Sequence, residues 1–173
     1  MLYIFHMNSE ELKSLLNLVP LSFEGGYYAE TYRSEDILDA DALQDRYSGP
    51  RTVATAIYYL LDPGTFSELH RVASDEIFHF YLGDPVEMVQ LWPDNSVRQL
   101  TIGTDLQRGM RPQVVVPRGV WQGSRLVPGG RFALLGCTVS PGFEYVDYES
   151  GSRDLLVRQY PEARDLIQAL TRS

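Results

Sequence analysis

Disulfides, long apolar runs and an excess of basic charge are all missing from this 173-residue chain. The one cysteine, Cys137, has no partner for an intramolecular disulfide and stands in the apolar run Arg131 to Ser140. A buried structural thiol is expected there rather than a nucleophile, and nothing points to an oxidising compartment. No segment approaches the roughly 20 consecutive apolar residues of a membrane-spanning helix. Fifteen Lys and Arg against twenty-three Asp and Glu give a net charge of −8. That balance repels a phosphate backbone, and the arginines are spread thinly, so nucleic acid is not an expected partner. The opening MLYIFHMNSEEL lacks the basic start and small-residue cleavage site of a secretory signal, and the expected location is cytoplasmic.

What remains is ample for a core: 44% hydrophobic and 12% aromatic residues, at a length typical of one domain spanning 1–173. Asn8 or Ser9 can cap a helix in which Leu12, Leu15, Leu16 and Val19 share a face and Pro20 ends the pattern. Near the other end, Pro161 suits a first helical turn, and Ala163, Leu166, Ile167 and Leu170 form an apolar stripe. Between these helices the period changes to short β-branched and aromatic runs: Thr52 to Leu61, Phe66 to His70, Glu76 to Leu82, Val86 to Trp92, Ser96 to Ile102, Gln113 to Val116 and Arg131 to Val139. Turn residues such as Asp62-Pro63-Gly64 and Pro128-Gly129-Gly130 separate many of them, which predicts an antiparallel sandwich or barrel. The acidic stretch Ser34 to Pro50 is expected to be an exposed loop or a short helix.

Within GTFSELHRVASDEIFHFYLG, the residues Gly64, His70, Val72, Glu76 and Gly83 have the spacing of the first cupin motif, with Val72 where a second His is usual. In PRGVWQG, Pro117 and Gly119 resemble the second motif, with Gln122 where a third His is usual and Leu126 in place of an Asn. Together with EGGYYAETYRS (Glu24 to Ser34), VPRGVWQ and GCTVSPGFEYVDYE (Gly136 to Glu149), these stretches resemble the DUF985, or Cupin_5, branch of the cupins. The resemblance implies an all-β double-stranded β-helix, a jelly-roll barrel with short flanking N- and C-terminal helices, enclosing a pocket and usually paired as a homodimer.

A metal cupin brings three imidazoles and a carboxylate onto one cation. This chain retains only His70 and Glu76 at those positions, short of the ligands a catalytic zinc or non-haem iron needs. Gln122 offers one carbonyl oxygen. His79 would complete a set of His70, Glu76, Gln122 and His79, but alternation places Glu76, Phe78 and Phe80 on one face and His79 on the other, so a bulge would be required. No tightly bound metal or other cofactor is therefore expected. The same pocket contains the elements of acid-base chemistry: His70 as a base, and Glu76 to orient it and stabilise its imidazolium. The bland alternative for His70 is a hydrogen-bonded barrel residue without catalytic duty.

After Gly25 and Gly26, alternation sends Tyr28, Glu30 and Tyr32 to one face and Ala29, Thr31 and Arg33 to the other. Arg33 has the planar fork that binds phosphate or carboxylate; packing at a dimer interface is the stronger alternative for this segment. Tyr28, Arg33, Phe78 and Gln122 complete the candidate substrate-binding set. Trp121 is as well suited to plugging a core as to stacking on a ligand, and Phe143, Tyr145 and Tyr148 are read as packing or interface residues. The expected ligand is a small polar metabolite, a sugar or sugar nucleotide among the options. Three functional classes stand side by side: a metal-independent isomerase or epimerase, a non-enzymatic ligand-binding or sensor protein, and a metal-dependent oxygenase or isomerase.

Overall fold

The computed structural model describes residues 7–172. Half of the opening segment on which the cytoplasmic expectation rests, residues 1–6, lies outside that range. The first helix, α1 (Ser9–Leu15), is closed by a capping box: Asn8 accepts from the Glu11 backbone N–H, and the Glu11 side chain accepts from that of Asn8. It stops well before Pro20. Leu12 is buried, but Leu15 and Val19 are exposed, so the expected stripe is only half used. Val19 belongs instead to a short strand, β1 (Val19–Pro20).

The strands that follow are β2 (Tyr27–Arg33), β3 (Ile37–Leu38), β4 (Arg51–Thr52), β5 (Thr55–Leu61), β6 (Ser67–Val72) and β7 (Asp75–Gly83). Then come β8 (Val86–Leu91), β9 (Val97–Ile102), β10 (Gln113–Val116), β11 (Trp121–Leu126), β12 (Ala133–Ser140) and β13 (Tyr148–Ser150). The chain closes with α2 (Arg153–Gln159) and α3 (Arg164–Ala169), joined by a 3₁₀ turn that starts at Pro161. Between β3 and β4 the acidic stretch forms a loop with one 3₁₀ turn, Ala40–Ala42.

Two antiparallel sheets face each other, with strand orders β1-β2-β5-β12-β7-β10 and β13-β6-β11-β8-β9, and β3-β4 form a small ribbon. Neighbours that are distant in sequence, such as β5 beside β12 and β6 beside β11, are the signature of a jelly roll. The apolar interior between the sheets includes Leu61, Val86, Met88, Ile102, Val116 and Leu135. On the outer face of the second sheet, α2 and α3 lay Leu156, Ile167 and Leu170 against Leu69, Leu91 and Trp121. At roughly 1.5–3 kcal/mol for each fully buried aliphatic side chain, that seal is a substantial share of marginal stability. Trp121 is therefore a core plug outside the barrel. On the outer face of the first sheet, Leu12 of α1 joins Leu60, Phe132 and Leu134. Among the described residues no helix is long and apolar enough to cross a membrane.

Candidate functional site

Alternation along β7 turns Glu76 and Phe78 inward. β6 turns His70 and Val72 to the same interior, and β11, paired antiparallel to β6, sets Gln122 opposite His70. His70 is 1% exposed, Glu76 6% and Gln122 0%. His70 Nδ1 stands 2.7 Å from the Glu68 carbonyl, which can only accept, so this nitrogen carries the proton. Nε2 of the neutral ring then accepts from the Gln122 amide at 2.8 Å, and the same NH2 donates to Glu76 Oε2 at 3.3 Å. The expected side-by-side arrangement of His70 and Glu76 is thus replaced by a bridge through Gln122.

His70 and Glu76 form the floor of a cavity of about 290 Å³. Gln122 sits behind them and is not among the lining residues, so its place is that of a positioning group rather than a direct ligand contact. Phe78 lines the wall, joined by Leu21, Ile57, Val72 and Val139. Burial pushes the Glu76 carboxyl up to about 7, with nearby Glu24 acting in the same direction and the Gln122 hydrogen bond opposing. Burial also pushes the Cys137 thiol, 3.9 Å from Glu76 Oε1, well above its usual range, consistent with an inert structural thiol.

Glu24 is a floor residue that its sequence context did not single out. Gly25 and Gly26 both have positive φ, and a Cβ on Gly25 would lie 2.1 Å from the Phe66 carbonyl oxygen. Only glycine fits that turn. The turn brings the Glu24 carboxylate to Ser67 Oγ at 2.8 Å, within 3.9 Å of His70 Nε2, and lets the Tyr59 hydroxyl donate to the Gly25 carbonyl. Tyr148 stacks on His70 with ring centroids 4.8 Å apart, and Phe23 meets both Tyr148 and Tyr145 edge-on. Phe143 and Tyr145, read from sequence as packing or interface residues, line the cavity.

At the exposed rim a register shift in β2 between Glu30 and Tyr32 corrects the simple alternation. The extra residue returns Arg33 to the face of Tyr28 and Glu30, so all three line the opening while Tyr32 points away. Arg33 is not free to receive an anion: it holds Glu30 through two bonds of 3.1 and 2.9 Å and Glu144 through one of 2.8 Å. Tyr28 and Tyr145 share a hydroxyl contact of 3.2 Å.

His79 lies on the opposite face of β7, where it contacts Thr138 and Gln113 and stacks on Tyr81. No bulge brings it inward, which removes it from the conditional ligand set with His70, Glu76 and Gln122. Among the described residues no group of three or more His, Cys, Asp or Glu is placed to hold a metal ion. The donor chemistry agrees: Val72 occupies one would-be imidazole position, Gln122 another, and the free lone pair of the only inward imidazole among the described residues is taken by an amide N–H. These residues do not fit the imidazole-rich metal site of a cupin.

Two facing antiparallel sheets with an inward His and Glu at the base of an end-opening cavity define a cupin. The chain belongs to the family described as "Cupin superfamily (DUF985)", whose model matches residues 10–151. It is 33% identical over 134 residues to the uncharacterized protein YML079W of Saccharomyces cerevisiae, an alignment covering 72% of this chain and 66% of that protein's length. The crystal structure of protein SO0799 from Shewanella oneidensis is similar at a TM-score of 0.85 and 34% identity, covering 96% of this chain and 98% of that one. Oxalate decarboxylase of Bacillus subtilis shares the fold alone, at a TM-score of 0.50 and 13% identity over 85% of this chain and 36% of its own.

Proposed function

We propose that the chain binds a small metabolite in the barrel and moves a proton on it, as a metal-independent isomerase or epimerase. The observation that carries this reading is the Glu76 carboxyl: it opens onto the cavity, sits near 7, and has Oε2 held by Gln122 and, through it, His70. A carboxyl poised near neutrality both takes and returns a proton at cellular pH. Glu76 is the proton carrier in this reading, and His70 acts through Gln122. A cavity of about 290 Å³ is at the lower edge of the range for small-molecule sites, roughly 300–1,000 Å³, and Arg33 is committed to Glu30 and Glu144. Both features favour a single-ring metabolite over a sugar nucleotide.

The aromatic wall of Phe23, Phe143 and Tyr145 supports a second reading, a binding or sensor protein that holds its ligand unchanged. One experiment separates the two. The protein is incubated in D2O with a small-metabolite extract, and carbon-bound deuterium is followed by mass spectrometry. The enzymatic reading expects incorporation into one metabolite with the native chain and none with Glu76→Gln; no incorporation by either leaves the binding reading.

The same proposal includes a homodimer, supported by exposed Tyr32, Tyr81, Leu82 and Val115 in the first sheet. It also includes a cytoplasmic location, supported by the buried, unpaired thiol of Cys137.

A further inference from the structure

The hydrogen-bonding inventory of the cavity floor is one-sided. His70 has no N–H left for a ligand, since Nδ1 donates to Glu68 and Nε2 accepts from Gln122. The Tyr59 hydroxyl is spent on the Gly25 carbonyl. Glu24 accepts from Ser67 through Oε1, and its Oε2 lies 3.9 Å from His70 Nε2. Glu76, a side chain more than nine-tenths buried, meets only a long thiol contact at Oε1. Tyr148, stacked on His70 with its buried hydroxyl unpartnered, is not among the lining residues, so the groups that do line the floor present mainly acceptors.

Charge points the same way. Glu24, Glu30, Glu76 and Glu144 line the cavity, and the lone guanidinium, Arg33, is engaged by two of them at the rim. Among the described residues an anionic ligand would meet no available cation. A neutral polyol would supply donors but leave the floor carboxylates uncompensated once it displaced water. The walls add rings, Phe23, Tyr28, Phe78 and Phe143 among them, whose faces attract a cation and pack an apolar body.

We propose that the ligand is a primary amine on an apolar or aromatic body, its ammonium seated between Glu24 and Glu76 and its body against the aromatic wall. This rests on the reading of the cavity as the ligand site and names the class of molecule it takes.

Calorimetric titration of the full chain at pH 8 with benzylamine, benzyl alcohol and benzoate tests it. The three probes share a ring and differ in charge. Benzylamine binds about tenfold or more tightly than benzyl alcohol, and benzoate does not bind. At pH 6, where Glu76 takes up a proton, benzylamine weakens several-fold while benzyl alcohol is unchanged. Glu24→Gln brings the amine down to the level of the alcohol; the pH comparison on the native chain covers the case of a variant that does not fold. Equal binding of the three probes, preference for benzoate, or no benzylamine binding at about 10 mM overturns the proposal. Amine selectivity without deuterium incorporation would remove the catalytic reading and leave this one. Incorporation into a neutral or anionic metabolite, with no amine selectivity, would do the reverse.

Discussion

The Gln122 amide nitrogen stands 2.8 Å from His70 Nε2 and 3.3 Å from Glu76 Oε2, so one NH2 group serves both members of the candidate acid-base pair. Gln122→Leu removes both donors at once. A buried acceptor left without a partner costs about 1–3 kcal/mol, but the substitution also deletes Gln122 Oε1, which is buried and itself unpartnered. A net loss near the lower end, about 1 kcal/mol, is expected in chemical denaturation. Because the Gln122 hydrogen bond holds the Glu76 carboxyl down, its loss raises that group's titration further, as a carbon-13 carboxyl NMR titration would record. An unchanged or lowered titration would remove Gln122 from its bridging role.

The pairing of His70 with Gln122, 52 positions apart, was legible in the sequence because the two motifs that carry them resemble the two cupin motifs in spacing and order. Alternation along β7 correctly separated Glu76 and Phe78 from His79, since that strand is regular over those residues. The same rule failed for Arg33. The register shift in β2 depends on how that strand meets β5, a relation that β2 alone does not encode. Glu24 stands at the head of the stretch Glu24 to Ser34, but only the positive-φ turn at Gly25-Gly26 carries it to His70. The helix α2 was not anticipated: its seven residues bury only Leu156, too little periodicity to stand out.

The rim of the cavity has a hidden anchor. Arg51 and Asp147 form a two-pronged ion pair at 2.7 and 2.6 Å, with both side chains almost fully buried. It ties β4 to the turn Tyr145–Asp147, next to Glu144 at the opening. Arg51→Leu strands the Asp147 charge, and a loss of about 3–5 kcal/mol is expected in thermal or chemical unfolding. The double variant Arg51→Leu with Asp147→Leu should recover much of it, because the uncompensated charge rather than the missing attraction dominates the cost. A single variant within about 0.5 kcal/mol of the native chain would show that the pair contributes no such anchor.

Assembly can be tested on the outer face of the first sheet. Tyr81 lies so close over Gly136 that a Cβ there would fall 2.2 Å from its hydroxyl, and it packs beside Tyr58 and His79 while remaining half exposed. Val115 on neighbouring β10 is also exposed. Covering these residues with a second copy would explain why they are apolar. Sedimentation at micromolar concentration is expected to give twice the 19.6 kDa of one chain, and Tyr81→Glu with Val115→Glu is expected to give single chains of unchanged circular dichroism. A native chain sedimenting only at 19.6 kDa would refute the dimer.

The pH dependence of stability isolates Glu76. Its folded-state carboxyl titrates at about 7 against an ordinary value of 4.5, chiefly because burial penalises the ionised form. Between those two values the folded chain retains a proton that the unfolded chain has released. The group's contribution is therefore fully present below about pH 4.5 and is lost as pH rises through about 7. Glu76→Gln, neutral at every pH and of nearly the same shape, should flatten this dependence. The variant is expected to melt at a higher temperature than the native chain at pH 8, with the difference shrinking toward pH 5. Matched melting curves at pH 5, 6.5 and 8 check the sign. A variant that is less stable at pH 8 than at pH 5, relative to the native chain, would mean that ionised Glu76 is stabilised where it lies, and the carboxyl would then lack the poise that proton transfer at neutral pH requires.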